Sequence, residues 1–335
     1  MNKNKLLIGA LIALATLSGC LKNADITHPD FIYQTVYFAS QNPIRTVVLG
    51  EDRNIDNSLD QQHKVEIKAT LGGTRENKNN VVISFNVEPS LLTNLYFTAN
   101  YGNGKIVPLP PNYYTLASDK ITIAPGNIMG GVQVQLTDAF FNDPLAISNT
   151  YALPLKMSAV QNADSILSTK NFVIYALKFV NSWHGEYLRS GKDNYTYPNA
   201  ATREVTRSYG INYATAPRSV LTTRSLTDIT YPVTMVNSAN GNVNINLILT
   251  FDNKGNCTVS SGTAGYTATG TGSFVSKGAK KHWGDIDRDV LYLNYQVSNP
   301  STTSTVVSNL ISTDTLVLRD RAVKPEYFDS RVQLN

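Results

Sequence analysis

Apolar and polar side chains alternate at every second residue along much of this sequence, and this alternation constrains the fold more than any other feature. Val65, Ile67 and Ala69 alternate with charged residues, and Val132 and Val134 alternate with polar ones. Successive side chains on a β-strand point to opposite faces, so this pattern predicts strands with one buried face. No segment shows a helical period of convincing length. The sequence therefore predicts an all-β protein.

The strand signals divide the chain into two parts. About eight short signals, separated by turns at the spacing typical of a β-sandwich, lie between residues 36 and 181. We predict an immunoglobulin-like β-sandwich there. From residue 182 to 335 about eight further strands follow one another, with a strong hairpin signal at Asn240-Gly241. This meander predicts an antiparallel β-barrel, and a second sandwich remains the alternative.

The amino terminus has the features of a secretory signal. Lys3 and Lys5 precede an apolar run from Leu6 to Leu17, which is shorter than the ~20 residues of a membrane span. Leu17, Ser18 and Gly19 then lead into Cys20, a pattern that resembles the bacterial lipobox. We predict a signal peptide over 1–19, a lipidated Cys20 and a tether over 20–35, with several acyl chains providing a firm anchor. An ordinary secretory peptide with an incidental cysteine is the alternative.

Several spaced motifs in the first part resemble a known family. They are Val36-Tyr37-Phe38, Val82 to Val87 followed by Leu91-Leu92, Leu109-Pro110 with Tyr113-Tyr114, Ile121 to Gly126, and Tyr151 to Leu155. This order resembles the N-terminal β-sandwich of Bacteroidetes surface lipoproteins that are encoded with polysaccharide-uptake systems of the starch-utilisation type. The Trp183-x-Gly185-x-Tyr187 opening and the segment from Thr315 to Arg321 resemble the lipocalin-like C-terminal domain of some of these lipoproteins. The resemblance implies a glycan ligand, a partner outer-membrane transporter and an outer-membrane location at the cell surface.

Charge and cysteine content exclude some classes of protein. The formal net charge is +4, and removal of Lys3 and Lys5 with the signal peptide lowers it to +2. A nearly neutral chain without a basic block is not expected to bind nucleic acid. With Cys20 lipidated, Cys257 has no disulfide partner, and we expect it to be a small apolar residue on a strand.

Motifs for catalysis, metals and cofactors are missing from the sequence. The four histidines do not form a metal-binding pair, and the chain has no Gly-x-Ser-x-Gly elbow. Asp285, Asp287 and Asp289 do not match a calcium loop, so a solvated turn is the first interpretation and a weak calcium or sugar contact the second. We predict no catalytic residue, no metal, no cofactor and no enzymatic activity. A hydrolase with an unrecognised carboxylate pair stays open, because separation in sequence does not define distance.

Aromatic residues near polar ones are the candidates for ligand binding, because sugar rings combine apolar faces with hydroxyl rims. Trp283 lies in a predicted polar loop with His282 and Asp285, where it serves either as a platform or as a loop anchor. Tyr195 and Tyr197, in another predicted loop, form a second cluster. By contrast, we assign Trp183 and Tyr187 to one end of the barrel core. With the glycan ligand that the resemblance to surface lipoproteins implies, we predict a glycan-binding surface lipoprotein, and an adhesin or structural surface protein is the alternative from another class.

Overall fold

The structure of the chain, a computed structural model, describes residues 33–73, 76–198, 200–208, 216–299 and 309–333. The predicted signal peptide, Cys20 and the tether as far as residue 32 lie outside the described residues and stay predictions. No helix in the described ranges combines the length and the apolar character needed to cross a bilayer.

Strands form nearly all of the regular structure. In chain order the first part contains β1 Thr35–Tyr37, β2 Pro43–Val48, β3 Lys64–Gly72, β4 Val81–Val87, β5 Leu95–Phe97, β6 Val107–Pro108, β7 Tyr114–Leu116, β8 Lys120–Ile123, β9 Met129–Leu136, β10 Tyr151–Gln161, β11 Ser165–Ile166 and β12 Phe172–Val180. The second part contains β13 Gly185–Tyr197, β14 Ala200–Arg207, β15 Arg218–Thr223, β16 Asp228–Val236, β17 Asn242–Phe251, β18 Asn256–Ser261, β19 Thr267–His282, β20 Ile286–Ser298 and β21 Asn309–Asp320, followed by β22 Glu326–Tyr327 and β23 Ser330–Val332.

Helices are short and lie between strands of the first part. They are the α-helices α1 Ser58–Gln61 and α2 Asp138–Phe141, and the 3-10 helices Pro89–Leu92, Ala99–Tyr101, Pro111–Tyr113, Pro144–Ile147 and Ser168–Lys170.

Two sheets form the sandwich of the first part, and β5 lies outside them in a separate two-stranded sheet with β23. One has the strand order β11-β1-β3-β9-β7, and the other has the order β22-β2-β12-β10-β4-β8, with β6 added on β10. The inward side chains of both sheets form one apolar core that includes Val36, Ile67, Ile83 and Phe179. The alternation around Ile67 thus places apolar residues between the sheets and Lys64 and Lys68 outside, as the sequence predicts.

The second part is a closed barrel. β13 pairs with β15 near its start and with β14 near its end, and the series β15 to β21 returns to the other edge of β13. The predicted fold class, all-β with a β-sandwich followed by an antiparallel barrel, is confirmed. The alternative of a second sandwich is wrong, because pairing of β21 with β13 removes the open edges that a sandwich sheet would have.

Trp183 and Tyr187 fill the end of the barrel near the first part, as predicted. The Trp183 ring stacks on Phe251 with centroids 4.0 Å apart, and the Tyr187 hydroxyl donates to the Trp183 carbonyl at 2.8 Å. Tyr187 is fully buried. Cys257 is also buried on β18, where burial raises the pKa of its thiol to about 12, so the prediction of a structural cysteine on a strand is confirmed.

The chain returns to the sandwich after the barrel. β22 pairs with β2, and β23 pairs with β5, so residues 326–332 complete sheets of the first part. Phe328 lies between these strands and packs against Phe97, with ring centroids 4.9 Å apart. The segment therefore joins the end of the barrel to the sandwich by backbone hydrogen bonds and by a buried aromatic contact.

Candidate functional site

Trp283 lies at the tip of the hairpin between β19 and β20. His282 ends β19 and pairs with Ile286, the first residue of β20. The residues between them form a three-residue turn, in which Gly284 and Asp285 have left-handed φ angles of 81° and 55°. The turn is thus shorter than the loop predicted from the sequence, because β19 continues through Lys280 and His282.

Two arginines hold the indole ring of Trp283 in place. The guanidinium carbons of Arg288 and Arg319 lie 4.6 and 5.6 Å from the ring centroid, within the range of cation–π attraction. Arg288 also donates from Nε to the Trp283 carbonyl at 3.0 Å, while Arg319 donates to Glu186 at 3.1 Å. Both cations are therefore fixed by other partners, and the half-buried indole rests on a rigid support.

The other two predicted residues of this cluster flank Trp283 in different environments. His282 is half-buried, and its pKa is lowered because burial disfavours the charged imidazolium and because Arg288 repels it. Asp285 is exposed at the turn. The hairpin thus places His282, Trp283 and Asp285 at one edge of the barrel, with the imidazole and the indole half-buried and the carboxylate exposed.

The contact between the barrel and the sandwich lies next to this hairpin. Arg53, from the sandwich, donates to the Asp287 carbonyl at 2.5 Å, and the Asp287 carboxylate accepts from Lys280 at 2.9 Å. The cavity between the two parts at this point has a volume of about 20 Å³, which is room for one or two waters. The junction is therefore too small to admit a sugar ring.

Asp285, Asp287 and Asp289 do not converge on one point. Asp287 accepts from the backbone of Lys281 and from Lys280, whereas Asp289 accepts from the backbone of Lys277 and from Arg321. No group of three or more potential metal ligands comes together in the ranges that the structure describes.

Tyr195 and Tyr197 lie on β13, so the loop predicted for them is wrong. The alternation continues through this segment, and Asp193, Tyr195 and Tyr197 share the inward face of the strand. Tyr195 is 2 % exposed and donates to Asp193 at 3.2 Å. Tyr197 donates to the Val236 carbonyl at 3.1 Å, and the two parallel rings lie 6.3 Å apart. The two tyrosines are thus separate from the Trp283 hairpin and fill the interior of the barrel.

A polar network inside the barrel was not predicted from the sequence. Asp314 accepts two hydrogen bonds from Arg189, at 3.1 and 3.0 Å, and others from Tyr231 and Tyr295 at 2.7 and 2.9 Å. Arg207 bridges Asp314, at 2.6 Å, and Asp193. The sequence gives one signal for this network. Charged residues occupy positions at which the alternation of side chains along a strand predicts an inward orientation.

The network is electrically balanced, because two arginines face two aspartates. Burial opposes ionisation of Asp314, but the charge and hydrogen bonds of Arg189, with further contributions from Tyr231 and Arg207, lower the pKa of this carboxyl. The same burial, reinforced by Asp314, raises the pKa of Tyr295. A carboxylate held in its ionised form by arginines suits a structural role better than proton donation.

Comparison with known proteins finds a crystal structure that is highly similar to this chain. A Bacteroides ovatus protein of unknown function shares 40 % sequence identity with it and has a TM-score of 0.81, and the match covers 90 % of this chain and 99 % of that one. The chain belongs to the same family as this Bacteroides ovatus protein.

Two family models match separate parts of the chain. The model described as a domain of unknown function, DUF5627, matches residues 182–322, and another, described as an N-terminal domain, matches residues 32–164. No curated protein matches the chain.

Other crystal structures have lower similarity. A multidomain protein including DUF1735 from Bacteroides ovatus is 12 % identical, with a TM-score of 0.41 over 87 % of this chain and 97 % of that one. An auxiliary nutrient binding protein from Bacteroides thetaiotaomicron is also 12 % identical, with a TM-score of 0.36 over 82 % of this chain and 90 % of that one. Similarity at this level carries no conclusion about the ligand.

Proposed function

We propose that this protein is a lipid-anchored lipoprotein of the outer-membrane surface that binds a glycan without cleaving it and assists its uptake through a partner transporter. The anchor follows from the predicted signal peptide and lipidated Cys20, and the outer-membrane location follows from the resemblance to surface lipoproteins. The glycan ligand and the transporter follow from the resemblance of the spaced sandwich motifs to surface lipoproteins of polysaccharide-uptake systems.

The geometry of Trp283 is the observation that carries the binding role. A sugar ring needs an aromatic surface that stays in place and hydrogen-bonding groups beside it. Trp283 rests against Arg288 and Arg319 at a hairpin tip, and Asp285 is exposed two residues away. Because the guanidinium groups are fixed by backbone and carboxylate partners, little side-chain freedom would be lost when a ligand stacks on the ring.

The environment of the buried acids supports a binding role over hydrolysis. Glycoside hydrolysis uses a pair of carboxyl groups, one of which keeps its proton because its pKa is raised. In the barrel, Asp193 and Asp314 both accept from Arg207, and the pKa of Asp314 is lowered. Asp314 therefore does not have the raised pKa that the acid of a glycosidase pair requires.

A glycan array, followed by calorimetry with the glycan that responds, tests the proposal. Trp283→Ala should abolish binding and lower the melting temperature by only a few degrees, because the lost cation–π contacts contribute about 0.5–1 kcal/mol each. Tyr327→Ala, which removes another exposed aromatic ring, should leave binding unchanged. Trp183→Ala removes a stacked core ring and should lower stability by roughly 3–5 kcal/mol.

Two results would contradict the proposal in different ways. A wild-type protein that binds no glycan on the array would reject the function. A Trp283→Ala variant that binds like the wild type would reject the hairpin as the site and leave the function standing.

A further inference from the structure

One side of the barrel is formed by segments of five neighbouring strands, β17 to β21, in which the outward side chains are all uncharged, whereas the far part of β19 carries exposed lysines such as Lys277 and Lys280. We call this surface the neutral face, and it comprises the outward positions of residues 242–250, 256–260, 267–273, 292–298 and 309–315. Most of these positions are threonine, asparagine, serine or glutamine. Protein surfaces usually mix charges of both signs, so a face of this size without charged side chains is unusual.

The strand register places the hydroxyl and amide groups of this face in rows. One row crosses all five strands through successive pairs and consists of Thr250, Thr258, Thr271, Asn294 and Thr313. Neighbouring strands are about 4.8 Å apart, so the row extends over roughly 19 Å. The adjacent row contains Tyr292, which is 44 % exposed and lies opposite Ser273.

The polar groups of the row are available to a ligand. Among the described residues, the side chains of this row make no hydrogen bond to another protein group. An open surface hollow of about 570 Å³ lies over Thr250, Thr258 and Thr271, and its lining also includes Asp252 at the turn after β17. β19 packs closely against β20 beneath this hollow, because a Cβ at Gly272 would come within 2.4 Å of the Leu293 side chain.

The chemistry of the face identifies the kind of partner that fits. Cores of protein–protein interfaces are enriched in aromatic residues, methionine and arginine, and they are depleted in serine. This face instead offers spaced hydroxyls and amides, one exposed tyrosine ring and two outward isoleucines, Ile248 and the 58 % exposed Ile311. The hydroxyls and amides match a ligand that carries many hydroxyls and no charge, because each can donate or accept and no ion has to lose its water.

We propose that the neutral face binds an extended, uncharged polysaccharide, with the threonine row along its chain and Tyr292 beneath one sugar ring. The inference rests on the proposed glycan-binding function and adds a second surface to it, separate from the Trp283 hairpin. Binding at this face involves no ion pairs, so raising the salt concentration should leave the affinity unchanged.

Native affinity electrophoresis of the full chain tests the inference with dextran, galactomannan, xylan and levan as neutral probes and with polygalacturonate as a charged probe. A neutral polymer should retard the wild type equally at low and high salt. Thr258→Arg with Thr271→Arg should weaken this retardation about ten-fold or more, because two long charged side chains cover the row. Thr202→Arg with Thr206→Arg, at exposed positions on β14, is the matched control and should bind like the wild type.

The outcomes separate this inference from the proposed function. Loss of binding in the Thr258/Thr271 variant, with the β14 control and the melting temperature unchanged, supports the neutral face. Wild-type binding by that variant, together with loss in Trp283→Ala, overturns the inference and leaves the hairpin site standing. Retardation by polygalacturonate alone also overturns it. So does the finding that the wild type is a dimer and that the Thr258/Thr271 variant is a monomer, since the face would then be an interface between two copies of the chain.

Discussion

Arg321, at the end of the barrel, donates a hydrogen bond from Nε to the carbonyl of Glu51 in the sandwich at 3.0 Å. Its Nη1 donates to the carbonyls of Ser182 and His184, and its Nη2 donates to Asp289 at 3.1 Å. Only 2 % of Arg321 is exposed. One buried guanidinium therefore holds the sandwich, the linker between the two parts and the barrel together.

Replacement of this arginine should destabilise the protein strongly. We expect Arg321→Ala to lower the free energy of unfolding by roughly 3–5 kcal/mol, because Asp289 stays buried without its cation and three carbonyls lose a donor. Chemical denaturation measures this loss. The control is Arg53→Ala, which removes an exposed hydrogen bond to the Asp287 carbonyl and should cost about 1 kcal/mol or less. Equal losses in both variants would show that Arg321 has no special role.

Gly50 faces the same guanidinium, and a methyl group should not fit there. A Cβ at this position would come within 2.3 Å of the Arg321 Cζ atom. We expect Gly50→Ala to lower the free energy of unfolding by about 1–3 kcal/mol as the buried arginine is displaced. Gly104→Ala is the control, because a Cβ there meets no atom within 4 Å. Thermal unfolding of both variants tests this, and an unchanged melting temperature for Gly50→Ala would contradict it.

Asp314 should make the barrel sensitive to acid. Because its pKa is lowered in the folded state, its contribution is complete above its unfolded pKa of about 3.9 and is lost as the pH falls through the lower folded value. We expect Asp314→Asn to cost about 3 kcal/mol or more at pH 7 and to depend less on pH below about 4. Urea unfolding at pH 7, 4 and 3 measures both effects. Asp285→Asn, at an exposed position, should behave like the wild type.

His184 should add a second pH dependence in a higher range. Its Nδ1 accepts from the Thr223 backbone at 3.2 Å, and burial, with Arg321 and Lys178 nearby, lowers its pKa to about 4. An unfolded histidine titrates near 6.5, so stability should fall on the order of 2–3 kcal/mol between pH 6.5 and 4 as the unfolded state takes up the proton. His184→Gln should remove this slope in denaturation measured across that range. A slope that persists unchanged would assign it to other groups.

Cys20 should be required for the attachment to the membrane. We expect Cys20→Ser to release the protein into the soluble fraction and to abolish labelling with a radioactive fatty acid, because the serine hydroxyl does not replace the lipidated thiol. Cys257→Ser, at the buried cysteine, is the control and should leave fractionation unchanged. Membrane retention of the Cys20→Ser protein would reject the predicted lipobox.

The candidate site was predictable only in part. Trp283 was identified because a tryptophan among lysines, a glycine and aspartates is difficult to bury, and the structure places it at a hairpin tip. Its arginine supports were not predictable, since Arg288 and Arg319 occupy different strands and meet the ring only after β20 and β21 pair. Tyr195 was misplaced because its polar neighbours indicated a loop, although the alternation with Asp193 continued.

The sequence by itself determined which side chains face inward, as at Ile67 and Tyr187, because alternation along a strand is a local property of the backbone. It also determined the all-β class. Only the tertiary structure decided which strands become neighbours, so that Arg189 meets Asp314, Thr258 meets Thr271 and Arg321 meets Glu51. Register, barrel closure and domain contact depend on the packing of residues distant in sequence, and no local pattern encodes that packing.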